Sequence, residues 1–229
     1  MNPARETAVE IARTLQTAGY EAWLVGGCVR DELRGAMAQD YDLATDARPE
    51  AVEALFPRTH GVGKAFGVML VLKGGRQFEV ATFRAESGYA DGRRPDEVTF
   101  GDAQADALRR DFTVNGLFLN PTTGELRDWV GGEVDLKARV LRTIGDSDER
   151  FAEDHLRLLR AVRFAAQLDF EIEPATFAAV QAHAEQINRV SAERIRDELL
   201  KLFRPPHAAR GLDLLRESGL LAQVLPELM

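Results

Sequence analysis

Apolar positions recur with a helical period at the start of the chain. Ala8, Ile11, Ala12 and Leu15 fall on one side of a helix predicted over 4–18, and Gly19 ends it. "EAWLV" (21–25) then reads as a short strand running into Gly26-Gly27, "CVRDELRG" (28–35) as a helical segment and "DYDLAT" (40–45) as a second strand. "RPEAVEALF" (48–56) is a helix with proline in its first turn, and "AFGVMLVLKGGRQFEVATFR" (65–84) is a hairpin around Gly74-Gly75. The polar stretch 85–98 reads as a loop, 102–119 as helical, and 124–132 as a strand and turn. After that the period is helical almost throughout. One long amphipathic helix is predicted over 148–168, with further helices over 173–187, 191–203 and 206–218; Ser191 opens the third in a near capping-box arrangement. The expected fold class is α+β: a head of residues 1–145 with a small mixed β-sheet flanked by helices, then an all-helical part over 146–229.

Composition narrows the class. With 45% apolar residues among 229, a packed core is expected. No stretch is long and apolar enough for a membrane span, and the amphipathic, charged start is unlike a signal peptide. A single cysteine, Cys28, excludes an internal disulfide and fits a reducing cytoplasm, where it serves as a small apolar filler. The net charge of −8 divides evenly between 1–145 and 146–229, with no polybasic run. Non-specific coating of nucleic acid is therefore not expected, although a local basic groove is compatible with the sequence.

Four stretches carry candidate chemistry. In a strand, Asp40 and Asp42 project to the same face, and two adjacent carboxylates repel unless a cation bridges them. Magnesium suits such oxygen donors, and Glu79, set among apolar residues of the hairpin, is a possible third ligand. A surface turn and a solvent-facing strand residue are the plainer alternatives. A strand ending in Gly26-Gly27 before a helix offers bare backbone N–H groups to a phosphate, with Arg30 as a nearby cation; an ordinary tight turn has the same pattern. "RRDFTVNGLF" (109–118) gives Arg110 and Asp111 as polar contacts for a sugar or triphosphate, with Asn115 holding the loop, or else an exposed helix edge. On the helix 148–168, Asp154 and Arg157 are neighbours, and Arg160 and Arg163 continue the row. A carboxylate beside a guanidinium offers acceptors and donors for the edge of a base; the alternative is an exposed ion pair.

Taken in order, "LVGGCVRDELRG…DYDLAT", "FEVATFR", "RRDFTVNGLF", "LRTIGD…RFAEDHLRLLRAVRFAAQLDFEI" and "SAERIRDELLKLF" resemble the bacterial and eukaryotic type of tRNA nucleotidyltransferase (CCA-adding enzyme) and its relative, bacterial poly(A) polymerase. The resemblance covers nearly the whole chain. It implies a head with a five-stranded sheet followed by a helical neck. It also implies that Asp40 and Asp42 hold Mg²⁺ in a two-metal reaction, that Gly26, Gly27 and Arg30 meet the incoming nucleotide, and that Arg110 and Asp111 contact its ribose. Asp154 and Arg157 would act as a protein template for the base of CTP or ATP, with Arg160 and Arg163 beside it. The loop 85–98 matches the element used in switching from C to A, and the partner is the 3′ end of a tRNA.

Two departures stand out. Family members usually run longer, so the sequence is either part of a longer protein or a short natural form. Asp169 stands where glycine is common. Four activities follow as alternatives: addition of C, C and A or of only some of them, poly(A) synthesis, RNA or nucleotide binding without turnover, or nucleotidyl transfer to a small molecule, which leaves the Asp154/Arg157 helix unexplained. "GVGKAFGVMLV" (61–71) resembles the CCA-adding side more closely.

Overall fold

The computed structural model describes residues 2–87 and 97–228, which form two compact units, 2–86 with 97–133 and 134–228. The unit boundary falls earlier than the change of pattern near residue 145.

In the first unit, helix α1 (Pro3–Thr17) starts where Asn2 accepts the Ala4 N–H, and it buries Ala8, Ile11, Ala12 and Leu15 as the periodicity requires. Strand β1 (Ala22–Val25), helix α2 (Gly27–Leu33), strand β2 (Asp42–Thr45) and helix α3 (Pro49–Leu55) follow. Strands β3 (Thr59–Gly63), β4 (Val68–Lys73) and β5 (Arg76–Thr82) come next; β4 and β5 pair from Val68–Ala81 to Lys73–Arg76 around the Gly-Gly turn. Strands β6 (Arg84–Ser87) and β7 (Glu97–Phe100) form a separate two-stranded sheet. The expected loop 85–98 is thus strand at its ends, and its middle, 88–96, lies outside the described residues.

The helix expected over 102–119 is much shorter. Helix α4 (Ala103–Leu108) stops at Arg109, residues Thr113–Asn115 form a 3₁₀ turn, and β8 (Phe118–Leu119) follows. The Asp111 carboxylate accepts the Phe112 N–H at 2.8 Å and the Asn115 Nδ2 at 3.1 Å. These local side-chain bonds replace the helical ladder, as short polar side chains do when they compete with it. Strand β9 (Leu126–Arg127) completes the unit.

The main sheet has seven strands in the order β3-β4-β5-β2-β1-β8-β9, two more than the resemblance implies. The extra pair, β8 and β9, is a two-residue antiparallel extension beside β1. Among the described residues of this sheet only β2 and β5 pair in parallel; the sheet is mixed, as expected. One face packs Trp23, Val25, Ala44, Phe83 and Phe118 against Ala103 and Ala107 of α4. Phe118 stacks edge-on with Trp129 at 5.6 Å.

The second unit begins around α5 (Gly132–Ala138) and contains β10 (Val140–Leu141), α6 (Ser147–Glu153), α7 (Leu156–Leu168), β11 (Glu171–Ile172) and α8 (Pro174–Ala182). After a 3₁₀ turn come α9 (Ala192–Leu202), α10 (Ala208–Glu217) and α11 (Leu220–Val224). It is helical apart from β10 and β11, a two-residue parallel pair.

The long helix expected over 148–168 is two helices. Asp154 is extended, at φ −145° and ψ 103°, and its carboxylate accepts the Leu156 N–H at 3.1 Å, giving α7 a fresh cap. Leu158, Leu159, Val162 and Ala165 form the buried stripe of α7 as anticipated. Ser191 precedes α9 without a side-chain cap bond, and Arg194 stands where a capping box needs Glu or Gln, so the capping-box arrangement is not formed.

Candidate active site

The first unit brings Asp40, Asp42 and Glu79 to one open cleft of about 580 Å³, lined also by Ala4, Gln39, Tyr41 and the β4–β5 hairpin. Asp42 opens β2, whereas Asp40 lies just before the strand. The alternation nevertheless holds: Asp40 and Asp42 are exposed while Tyr41 and Leu43 are buried. In the parallel ladder Leu43 faces Val80, which sets Asp42 beside Glu79. Burial, followed by Glu79, pushes the Asp42 carboxyl up to about 6; Asp40 adds to the rise and Arg110 opposes it. The residue as a whole is exposed, while neighbouring protein crowds its carboxyl group. Like charges gathered on one concave surface favour a bound cation. Among the described residues no three His, Cys, Asp or Glu side chains are already grouped tightly enough to hold a metal ion. Magnesium needs no such cage, since it keeps waters and takes one or two carboxylates plus phosphate oxygens.

Beside the acidic pair lies the glycine turn, for Val25 pairs with Asp42. Gly26 adopts φ 72° and ψ −134°, a conformation that essentially only glycine takes up. A Cβ on Gly26 would meet Arg110 Nη1 at 3.2 Å, and one on Gly27 would meet Arg30 Nη2 at 3.4 Å. Two guanidinium groups therefore flank the bare backbone.

Each guanidinium is held from behind. Arg30 is buried, donates to both Asp31 oxygens at 2.9 and 3.1 Å, and donates to Asn115 Oδ1 at 2.7 Å. Asn115 in turn donates to Asp111, so it holds the loop as its position suggested. Arg110 donates to Asp106 Oδ2 at 2.9 Å and lies 5.0 Å from the Phe118 ring. Its buried Nε has no hydrogen-bond partner. Asp106 was not anticipated from the sequence. It is fully buried and also receives Arg109 at 2.7 Å; burial pushes its carboxyl up, but Arg110 and Arg109 outweigh that and hold it below the usual range. The spacing Asp106-x-x-Arg109-Arg110 was the available signal. Asp111 spends one oxygen on the loop, so it shapes the turn that presents Arg110.

In the second unit the four expected residues do not form one row. Asp154 precedes α7, and its carboxylate takes a two-pronged bond from Arg194 of α9 at 3.2 and 2.9 Å. Arg157 donates to Glu153 and to the Arg150 carbonyl. Arg163 is buried, donating to Glu198 at 2.6 Å and Gln167 at 3.0 Å. Burial pushes Glu198 up, but Arg163 and Lys201 hold it below the usual carboxylate range. Arg160 and Arg163 both lie over the Phe164 ring, at 5.1 and 3.9 Å. Arg194, Glu153 and Glu198 were not singled out in the sequence; their partners lie on a different element or across the unforeseen helix break.

Cys28 is a buried free thiol, pushed up to about 12 by burial and then by Asp42, as befits an inert filler. Among the described residues no helix is long and apolar enough to cross a membrane.

The chain is similar to known proteins along nearly its whole length. The CCA-adding enzyme of Levilactobacillus brevis is 46% identical over 94% of this chain and 54% of its own length. That of Geobacillus stearothermophilus is 42% identical over 97% of this chain and 55% of its own. The chain thus spans about half the length of the curated relatives it matches. Among solved structures, the Bacillus stearothermophilus CCA-adding enzyme in complex with CTP superposes with a TM-score of 0.87 at 41% identity, covering 96% of this chain and 53% of the other. A Thermotoga maritima CCA-adding enzyme complexed with tRNA gives 0.80 at 25% identity, covering 99% of this chain and 54% of the other. Residues 169–229 match the family described as the probable RNA- and SrmB-binding site of polymerase A. Residues 22–142, which contain the glycine turn, the acidic pair and the Arg110 network, match the poly A polymerase head domain, and the chain belongs to that family.

Proposed function

We propose that this chain is the head and neck of a template-independent RNA nucleotidyltransferase. It adds C and A to the 3′ end of tRNA from CTP and ATP and releases pyrophosphate, working in the cytoplasm. The observation that carries the reading is the adjacency of Asp42, Glu79 and Asp40 to a glycine turn flanked by Arg30 and Arg110. The relatives of known structure bound to CTP and to tRNA support it.

The donor set fits magnesium, since all three candidate ligands are carboxylates on one concave surface. Asp40 and Asp42 would hold it, with Glu79 as a neighbour. When bound, the divalent ions lower the barrier by activating the attacking oxygen and neutralising charge on the leaving group. The chain's own residues do the positioning. Gly26 and Gly27 leave room for the triphosphate to approach the backbone N–H groups. Arg30 and Arg110, fixed by Asp31, Asn115 and Asp106, present positive charge without needing to reorganise. The RNA 3′-OH attacks the α-phosphorus, a new P–O bond forms, and the bond to the β-phosphate oxygen breaks. In the neck, residues 146–229, Asp154 and Arg157 read the base, and Arg160 and Arg163 back them.

The test uses three tRNAs ending before CCA, after C and after CC, each offered CTP, ATP or both with Mg²⁺. Extension to CCA followed by a stop is the expected result. A long A ladder would move the protein to the poly(A) polymerases, and extension by CC alone or A alone would make it a partial-function enzyme. No extension in any lane would point either to a missing tRNA-binding part or to a binding module, and an Mg²⁺-dependent nucleotide-binding titration would separate the two.

A further inference from the structure

On the reading that Asp154 recognises the base, the state of its carboxylate before a nucleotide arrives decides how selective it is. An ionised carboxylate has about four lone-pair sites. Here Oδ1 accepts the Leu156 N–H at 3.1 Å and Arg194 Nη1 at 3.2 Å, and Oδ2 accepts Arg194 Nη2 at 2.9 Å. Among the described residues three sites are filled and one remains, on Oδ2. The amino group of cytosine or adenine donates a hydrogen bond, whereas the oxygen at the same place on uracil or guanine only accepts. A carboxylate held with a single open acceptor suits the first pair and repels the second.

The group doing the holding is not Arg157, which is turned toward Glu153 and the Arg150 carbonyl. It is Arg194, forty residues away on α9. We propose that Arg194 is a positioning residue for base choice. Its fork fixes both Asp154 oxygens in one plane and leaves one acceptor for the exocyclic amino group. Arg194 does not itself touch the base. Without it the carboxylate turns about its last side-chain torsion, its oxygens interchange, and water fills the vacated sites. Both side chains remain partly exposed, at 25% and 19%, so the pair adds little to folding and its effect on recognition is separable.

The experiment measures CTP, ATP, UTP and GTP binding with Mg²⁺ by calorimetry on this chain. The proteins are wild type, Arg194→Gln, Arg194→Lys, Asp154→Ala and the double variant Asp154→Ala/Arg194→Gln. Arg194→Gln is expected to lower the CTP-to-UTP affinity ratio by about tenfold, the scale of one lost base-edge contact. Arg194→Lys restores part of the ratio, since an ammonium is a point charge without the fork. The double variant should match Asp154→Ala alone, because the two residues act as one unit. Equal weakening toward all four nucleotides would show Arg194 to be only structural and overturn the proposal. If Arg194→Gln is misfolded by circular dichroism, the ratio in Arg194→Lys decides in the same way. A wild type without preference for CTP over UTP, or an Asp154→Ala variant that keeps it, would instead sink the base-reading assignment on which this rests.

Discussion

Asp42 and Glu79 stand side by side across the parallel pairing of β2 and β5, one residue before the Leu43–Val80 partners. Burial and this neighbour raise the Asp42 carboxyl from 3.8 to about 6. A raised carboxyl binds its proton more tightly in the folded state than in the unfolded one. Its ionisation therefore costs stability as pH rises from about 4 to about 6, and the cost is fully present at pH 7. Two outcomes are expected in thermal melts of metal-free protein. Asp42→Asn raises the Tm at pH 7 and removes that part of the pH dependence. Millimolar Mg²⁺ at pH 7 raises the wild-type Tm and shifts Asp42→Asn much less, since Asp40 and Glu79 remain but the carboxylate between them is gone. Equal magnesium shifts in both proteins would rule out Asp42 as a ligand.

Asp106 sits under two arginines with no access to solvent. Removing it leaves Arg109 and Arg110 without their shared anion and opens a polar void. Asp106→Ala should cost about 3–5 kcal/mol in urea unfolding, the range for breaking a buried pair. Because the folded carboxyl lies below its ordinary value, its contribution is present at neutral pH and lost as pH falls through the acid range. Acid titration of the wild type should show that loss, and Asp106→Asn should flatten it.

How much of this was legible in the sequence depended on the range of the interaction involved. The β1–glycine–α2 unit and the β4–β5 hairpin were readable because alternation and glycine turns are local signals. So was the buried stripe of α7. The break at Asp154 was not, because "EDHLRLL" has neither glycine nor proline and keeps its helical period across the gap. Only the capping chemistry of an aspartate two residues before Leu156 marks it. The helix over 102–119 failed for a related reason: Asp111 and Asn115 satisfy the backbone themselves. The candidate residues Asp154 and Arg163 were named from the sequence, but the groups that hold them were not. Arg194 and Glu198 meet their partners 40 and 35 residues away, and no pattern in one sequence reports that distance.

Asp169 takes the left-handed conformation at the end of α7, at φ 55°, where only glycine is free of strain. Its carboxylate gathers Arg139 and Arg210, which lie on either side of it. These exposed pairs are worth little each. Asp169→Gly should therefore be nearly neutral, the relieved backbone offsetting the lost charges. Asp169→Ala loses the charges and keeps the strain, so it should be less stable than Asp169→Gly by about 1 kcal/mol. Chemical denaturation of the two variants measures the difference directly. If Asp169→Gly proves the weaker of the two, the left-handed backbone carries no cost at this position, because both variants lose the ion pairs alike.

The two glycines of the turn should respond differently to the same added methyl. At Gly26, alanine meets a backbone conformation it resists and a guanidinium at 3.2 Å, so Gly26→Ala should lose about 1–3 kcal/mol and displace Arg110. At Gly27 the nearest neighbour is 3.4 Å away and the residue is the first of α2, where alanine is the better helix former. Gly27→Ala should keep stability within about 0.5 kcal/mol of wild type. Its cost should appear only in binding, as weaker CTP affinity, because the Cβ stands where the triphosphate would reach the backbone N–H groups. Urea unfolding and CTP titration on the two variants separate fold from cradle. A Gly27→Ala protein that is stable and binds CTP as wild type does would show that the turn serves the sheet and not the nucleotide.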